Sequence, residues 1–482
     1  MENRKETFYI TTTLPYVNAE PHIGFASEIV IADARARFER EQGKKVIFNT
    51  GTDEHGVKIW QKAQEENKDV QEYVDEYAAK FDDLKKMLNL SYTNFIRTTD
   101  ENHVKAAQEF WKIVDENGFI YKKQYKVKYC VGCELNKTDS ELDHEKCPLH
   151  PNKELEFIDE ENYFFKFSEF QERLLKLYEE NPEFVKPKKR LNEIRAFVER
   201  GLEDFSISRV KEKMPWGVPV PGDEDQVMYV WFDALVNYIS TLGWSDDQEN
   251  FEKFWGTSEN SQAIQIAGKD NLRQQSAMWQ AMLMAAILPV SQQVFINGFI
   301  GVDGQKMSKS IGNVISPKEM VEKFGVDGTR YLLLTKGSFG EDNDISWDQM
   351  TAKYNADLAN GLGNLVSRVI KLGENVEYEK VDKNIIEKKK ADLKKFVSEM
   401  EFEKYLSYVW EIVRASNKLI EETKPWELAK NDEIEFEKVM KKLIQNLQIV
   451  SQLLIPVLPE TAEKIENALE TKERIILFKR LK

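Results

Sequence analysis

Only three cysteines occur in 482 residues, and all lie between positions 130 and 147. An odd number in so short a span makes a disulfide framework untenable. Long apolar runs are missing too: the longest, near AMLMAAILPV, falls well short of the roughly 20 residues that a spanning helix needs. The amino terminus, MENRKETFYI, lacks the apolar core of a signal peptide, so the expectation is a cytoplasmic chain with no membrane contact. Positive charge is in deficit, with 68 Lys and Arg against 83 Asp and Glu and a net charge of −15. That excludes a protein coated in basic patches, but a large acidic enzyme can still bind nucleic acid along a local stripe. Two basic clusters, KPKKR at 186–190 and KKKADLKK at 388–395, read as solvated faces before they read as contact surfaces. There is no internal repeat and no low-complexity linker. The length implies about three structural units rather than one core.

What is present begins with a β-α-β rhythm. TFYITTT is β-branched and aromatic, LPYVNAEPHIGF is full of breakers, and ASEIVIADARARFERE spaces its apolar residues as a helix does. KVIFNT then reads as a strand, DVQEYVDEYAAKFDDLKKMLNL as a helix and YTNFIRTT as a strand. Strands alternating with helices imply a parallel sheet covered on both faces. The rhythm breaks between about 118 and 228, then resumes with the strand QAIQIAG, the helix NLRQQSAMWQAMLMAAIL and the strand QVFINGFI. The simplest account is one α/β nucleotide-binding domain split by an insertion, its loops converging at the carboxyl ends of the strands. Beyond about 350, long amphipathic patterns such as EKYLSYVWEIVRASNKLIEETK predict a helical bundle.

Two loops of the split domain carry chemistry. NGFIGVDGQKMSKSIGN, at 297–313, places Lys306 and Lys309 among glycines. Glycine gives a loop the freedom to close, and ammonium groups neutralise phosphate, so a polyphosphate is the natural ligand. Five residues of Lys, Met and Ser taken alone would equally suit a solvated loop. In LPYVNAEPHIGFASEI, His22 and Gly24 sit just before a helix, where backbone N–H groups favour an anion. Histidine on one half and lysines on the other would clamp a nucleoside triphosphate and stabilise charge developing at its α-phosphorus. Inside the break, Cys130-x2-Cys133 and Cys147-x2-His150 supply four soft ligands as two close pairs, the arrangement tetrahedral zinc requires. Four protein ligands leave no place for water, so the zinc would be structural.

PHIGF followed by KMSKS resembles the signature pair of class I aminoacyl-tRNA synthetases. TTTLPYVNAEPHIG, GTDEHG, YVWFDALVNY and GKD, in that order, resemble the methionyl-tRNA synthetases, over essentially the whole chain. The cysteine spacing is similar to that family's bacterial single-knuckle form. The resemblance implies a Rossmann-like parallel-sheet catalytic domain split by a zinc-binding insertion and followed by an all-α bundle. It implies halves at 1–117 and 229–320, the insertion at 118–228, a stem-contact connector at 321–355 and an anticodon-binding bundle at 356–482. It implies Leu14, Tyr16, Trp231, Ala234 and Tyr238 around a methionine side chain, with Asp53 on its ammonium. The helical spacing of Trp231, Ala234 and Tyr238 would also follow from core packing alone. For ATP, taken up with Mg2+, it implies His22 and Gly24 at the phosphates, Gly268, Lys269 and Asp270 near the ribose, and Lys306 and Lys309 on the mobile loop. Arg209 matches an arginine near the active site, and a surface ion pair is its alternative. For tRNA(Met), it implies Asn364, Arg368 and Trp426 as anticodon readers, suiting a single-stranded loop that needs stacking and polar edges. A buried structural role is the other reading of Trp426.

Two departures stand out. The signature ends in Phe25 where the family has a second histidine, and Gln275 replaces a histidine beside the methionine side chain. Phe25 offers phosphate no hydrogen bond, whereas Gln275 retains a donor and an acceptor. The expected activity is a methionine–tRNA ligase working through methionyl-adenylate, and the expected state is a monomer. The alternatives are a silent tRNA-binding paralogue, for which Phe25 speaks, and a synthetase for another apolar amino acid. Against the latter stands the lack of a second insertion large enough for editing.

Overall fold

The computed structural model describes residues 6–133, 135–137, 141–143, 145–307 and 312–482. Six parallel strands form the central sheet, in the order Asn94–Arg97, Lys45–Thr52, Thr7–Thr12, Ala263–Gly268, Gln293–Asn297 and Val185–Lys186. The strand Thr7–Thr12 is buried along almost its full length, as a central strand covered on both faces must be. From it the chain builds outward to one side through Lys45–Thr52 and to the other through Ala263–Gly268. This is a topological switch point, and it leaves a crevice beyond the carboxyl ends of the two middle strands.

One strand comes from a place the sequence did not reveal. Val185–Lys186 lies inside the segment read as an insertion, yet it pairs with Val294 and Phe295 of the central sheet. Two residues are too few to show a period, and only their distant partner makes them a strand.

The helix Ile23–Glu41 crosses behind the first strand and is buried around most of its circumference, including Glu28, Asp33, Arg35 and Glu39. It is covered by the sheet on one side and by the helix Pro317–Leu334 on another. Within the insertion, Ile120–Cys130 and Glu156–Phe165 make a long antiparallel ribbon, with Ile120 opposite Phe165 and Tyr129 opposite Glu156. Cys130, the last residue of its strand, therefore stands at the far end of that ribbon.

The carboxyl-terminal third is a bundle of long helices, Lys383–Ser398, Phe402–Thr423 and Glu433–Leu454 among them. Tyr405, Val409, Leu443, Leu447 and Val450 are buried in its core. Arg330, on the helix Pro317–Leu334, fastens this bundle to the catalytic half. Its side chain is 0 % exposed. The guanidinium pairs with Asp33 at 2.7 Å and donates to the carbonyls of Leu88 at 3.0 Å and Val457 at 2.9 Å. The planar fork of arginine suits a site with several acceptors in different directions.

Candidate active site

The crevice at the switch point is a cleft of about 540 Å3. From the first half of the split domain, Leu14, Tyr16, His22, Gly24 and Asp53 line it. From the second half come Trp231, Ala234, Tyr238, Gly268, Asp270 and Gln275. Residues some 200 positions apart thus share one cavity because the two middle strands are neighbours.

His22 is the N-cap of the helix Ile23–Glu41, and its Nδ1 accepts from the Gly24 N–H at 3.0 Å. In the neutral ring the proton is therefore on Nε2, a donor for an anion. An added Cβ at Gly24 would stand 2.7 Å from the His22 ring and displace it from this position. Ile23 N–H donates to the Ile315 carbonyl at 3.1 Å, which ties this helix start to the far stem of the lysine loop. Met307 also lines the cleft. Lys306 belongs by its backbone to a short hairpin, opposite Gly301. Lys309 lies outside the described residues.

Asp53 is 4 % exposed. Its backbone is pinned by Asp53 N–H to the Pro15 carbonyl at 3.0 Å and by Val17 N–H to the Asp53 carbonyl at 3.2 Å. Its neighbours are fixed as firmly: Glu54 pairs with Arg97 at 2.7 Å and His55 Nδ1 lies 2.9 Å from Asp233 Oδ2. His103 Nε2 approaches the other Asp233 oxygen at 3.4 Å. Burial alone would raise the Asp233 carboxyl, but His55 and His103 hold it below the usual carboxylate range. Asp233 sits between Trp231 and Ala234 on the short helix Val230–Ala234, so this buried pairing aims two pocket-wall residues. Sequence reading missed it, because GTDEHG, His103 and Asp233 are brought together only by the fold.

The polar floor is a relay of neutral groups. Gln265 Nε2 donates to Gln275 Oε1 at 3.2 Å, and Gln275 Nε2 donates to the Tyr238 hydroxyl at 2.5 Å. Gln275 is 2 % exposed and belongs to a π-helical turn, Gln274–Met278. Such turns recur at functional sites because the extra residue re-aims a side chain. Phe25 packs edge-on against Phe81 with ring centres 5.7 Å apart, and both rings line the cleft.

Glu28 is a second wall residue that sequence reading passed over. Thr13 donates to its Oε1 from N–H at 2.8 Å and from the hydroxyl at 2.6 Å. Burial pushes its carboxyl up to about 8, so the group is mostly neutral at pH 7. A carboxylate inside the apolar run ASEIVIADA was the signal that could have found it.

Two expected residues stand elsewhere. Lys269 does not line this cleft: its ammonium pairs with Asp342 and lies 4.2 Å from the Phe299 ring centre, beside an adjoining cavity. Arg209 does not line this cleft either, and its side chain is buried. It is 6 % exposed, 4.2 Å from the Tyr229 ring centre, and donates to the Ser206 hydroxyl and the Ser208 carbonyl, each at 2.7 Å. In the bundle, Asn364 and Arg368 share the exposed side of the helix Asn364–Leu372. Trp426 is 46 % exposed in the first turn of Pro425–Asn431, so packing does not account for it.

The metal-ligand set forms at the ribbon's end. The Cys130, Cys133 and Cys147 sulfurs and a His150 nitrogen all lie within 4.8 Å of one another. Cys133 Sγ is 3.4 Å from Cys147 Sγ and 3.3 Å from His150 Nδ1. With metal–ligand bonds of about 2.0–2.3 Å, such edges fit a small tetrahedral ion, and three thiolates with one imidazole suit zinc. Gly132 fits because a Cβ there would meet the His150 ring at 2.3 Å. Lys58 joins this knuckle to the cleft, donating to the Gly132 carbonyl at 2.8 Å.

Comparison with known proteins decides the family. The model described as tRNA synthetases class I (M) matches residues 8–156 and 141–370, and the model of the anticodon binding domain of methionyl tRNA ligase matches 369–477. The chain belongs to the class I methionyl-tRNA synthetases. A methionine–tRNA ligase of Clostridium acetobutylicum is 42 % identical over 487 residues, covering 97 % of this chain and 74 % of the relative. One of Thermosynechococcus vestitus is 40 % identical, covering 96 % and 90 %. The structure of Mycobacterium tuberculosis methionyl-tRNA synthetase in complex with methionyl-adenylate matches with a TM-score of 0.88 at 33 % identity, covering 96 % of this chain and 93 % of that one. The parallel sheet and helical bundle are thus those of a synthetase, and the chain is an ATP-dependent methionine–tRNA ligase. Among the described residues, no helix is long and apolar enough to cross a membrane.

Proposed function

We propose that the cleft at the switch point is where methionine is activated, with the residues in the following roles. The Asp53 carboxylate receives the methionine ammonium. Leu14, Tyr16, Trp231, Ala234 and Tyr238 enclose the thioether, and Gln275 supplies polarity without charge. A methionine carboxylate oxygen attacks the α-phosphorus of ATP, and the bond to pyrophosphate breaks. His22 Nε2, with Lys306 and Lys309 from the closing loop, offsets the charge that gathers on the departing phosphates. Gly24, Gly268 and Asp270 give the nucleotide a close backbone approach and a ribose partner. A ribose hydroxyl of the terminal adenosine of tRNA(Met) then attacks the carbonyl of methionyl-adenylate, and AMP leaves. No side chain is acylated.

Lys269 and Arg209 have no direct part in this scheme. Lys269 borders the nucleotide through the adjoining cavity, and Arg209 braces the segment carrying Tyr229. Cys130, Cys133, Cys147 and His150 hold a structural zinc, which supplies cross-linking and no reaction step. ATP is taken as its Mg2+ complex, and Asn364, Arg368 and Trp426 read the anticodon. The cleft is complete within one chain, which suits a monomer, and the tRNA substrate suits a cytoplasmic setting. The modules are 1–117, 118–228, 229–320, 321–355 and 356–482.

The observation that carries this reading is the convergence of ten family-matched residues, with Gln275 beside them, from both halves of the split domain on one cleft. Pyrophosphate exchange with single amino acids tests it. Methionine alone is expected to support exchange, and exchange with isoleucine, leucine or valine instead would overturn it.

A further inference from the structure

The polar floor of the cleft continues behind Gln275 into the interior, through three residues that do not line the cleft. Gln265 stands on the strand Ala263–Gly268, Gln280 on the helix Trp279–Ala285 and Ser291 just before the strand Gln293–Asn297. Each is at most 1 % exposed. Polar side chains this deep have to satisfy one another, since bulk water cannot reach them.

They do so in one sense only. The Ser291 N–H donates to Gln280 Oε1 at 3.0 Å. A backbone N–H can only donate, so the oxygen of that amide is fixed and its nitrogen faces the other way. Gln280 Nε2 then donates to the Ser291 hydroxyl at 3.1 Å and to the Gln275 carbonyl, which can only accept, at 2.8 Å. The Ser291 hydroxyl, having accepted, gives its own proton to Gln265 Oε1 at 2.5 Å. That leaves Gln265 Nε2 for Gln275 Oε1 and Gln275 Nε2 for the Tyr238 hydroxyl. Two backbone groups thus orient every amide along the line.

At its end the Tyr238 oxygen accepts from Gln275, so its single proton has to point elsewhere. The side-chain oxygen of the neighbouring Asn237 is already taken by Asn49 Nδ2 at 3.2 Å. The Tyr9 hydroxyl donates to the Tyr238 carbonyl at 2.7 Å and holds that backbone in place. Tyr238 itself lines the cleft.

We propose that Gln265, Ser291 and Gln280 are positioning residues for amino-acid selection. Their one-way line of neutral donors turns the Tyr238 hydroxyl outward as a donor, so that a thioether sulfur, a weak acceptor, is preferred over a methylene of the same shape. The proposal deepens the reading of this cleft as the site of methionine activation and rests on it. The two ends of an amide have nearly the same shape. Without its buried anchor, Gln275 is free to turn over, offer Oε1 to Tyr238 and draw the hydroxyl proton away from the substrate.

Pyrophosphate exchange with methionine and with norleucine, which carries a methylene in place of the sulfur, tests this. Gln265→Met replaces the amide with an unbranched apolar chain of similar length, and Ser291→Ala removes the hydroxyl while keeping the N–H. Each should raise KM for methionine about fivefold and leave kcat within about twofold, as expected for one neutral hydrogen bond remote from the reacting carboxylate. Exchange with norleucine should stay within about twofold of the parent, so the preference for methionine should fall about fivefold. In a Tyr238→Phe background neither substitution should change that preference further, because no hydroxyl is left to turn. If Gln265→Met does not fold, Ser291→Ala decides. Equal losses for the two amino acids, or losses that add in the Tyr238→Phe background, would make the line merely structural and overturn the proposal. An unchanged preference would overturn it too, while leaving the activation reading intact. A parent protein that failed to exchange with methionine would instead remove the activation reading, and this proposal with it.

Discussion

Glu28 shows how much one buried carboxyl contributes to the character of the cleft. Burial raises it to about 8, so between roughly pH 4.5 and 8 the folded chain keeps a proton that the unfolded chain releases. Stability from this group is therefore complete below about 4.5 and is lost as the pH rises toward 8. Glu28→Gln keeps an acceptor for both Thr13 donors and cannot ionise. Thermal melts should find it roughly 2 °C or more above the parent at pH 8.5 and level with it at pH 4.5. A gain independent of pH would contradict the protonation argument. At the same scale, Lys309 and Asp53 divide chemistry from recognition. A charge that acts mainly in the transition state changes rate more than affinity, so Lys309→Ala should cut exchange about 10²- to 10³-fold and leave methionine binding nearly unchanged. Asp53→Ala should instead abolish saturable methionine binding, because the ammonium would lose its charged partner. Calorimetric titration beside exchange kinetics tells the two apart.

At the scale of elements stand the proposed zinc knuckle and the proposed anticodon contact. Replacing Cys133 by Ser would remove one of the four proposed ligands at the end of the ribbon, and elemental analysis should fall from about one zinc per chain to well below that. Because Lys58 holds the Gly132 carbonyl, amide exchange should speed up both in the knuckle and around residues 57–60. Faster exchange in the knuckle alone would mean that the lysine contact does not couple them. On the helix Pro425–Asn431, Trp426→Ala should lower aminoacylation by the worth of one stacked base, about 1–3 kcal/mol, and spare pyrophosphate exchange. Equal loss in both would make the tryptophan structural.

Much at this scale could be read from the chain itself. The loops around His22 and Lys306 and the cysteine pairs announce themselves because their chemistry is local. The edge strand Val185–Lys186 and the π-helical turn at Gln274–Met278 were illegible. Each is defined by a hydrogen-bonding partner that composition does not name. Where the Lys269 ammonium goes was hidden for a related reason: a motif fixes the backbone, while the side chain turns to whichever carboxylate the fold offers, here Asp342.

For the whole molecule, the β-α-β rhythm and the change to amphipathic helices announced a parallel-sheet domain followed by a helical region, while what joins the two stayed hidden. Arg330 is one arginine among many in the sequence, and most of its partners are carbonyls, which have no sequence identity. Removing it would leave the buried Asp33 with the Arg37 ion pair and two hydrogen bonds from Ser91, and breaking a buried pair costs up to about 3–5 kcal/mol. Arg330→Ala should therefore lower the denaturant midpoint markedly. Methionine-dependent exchange in the surviving folded fraction should persist, because no cleft residue is touched.

That single guanidinium also governs how the protein comes apart. Modules that merely abut melt one after another, each at its own temperature. Here the catalytic half cannot loosen its hold on Asp33, nor the bundle its hold on Val457, without stranding the same buried cation. The two must go together, so calorimetry of the parent should record one sharp endotherm. In Arg330→Ala that endotherm should separate into two, giving the chain a partly melted intermediate that the native clasp denies it.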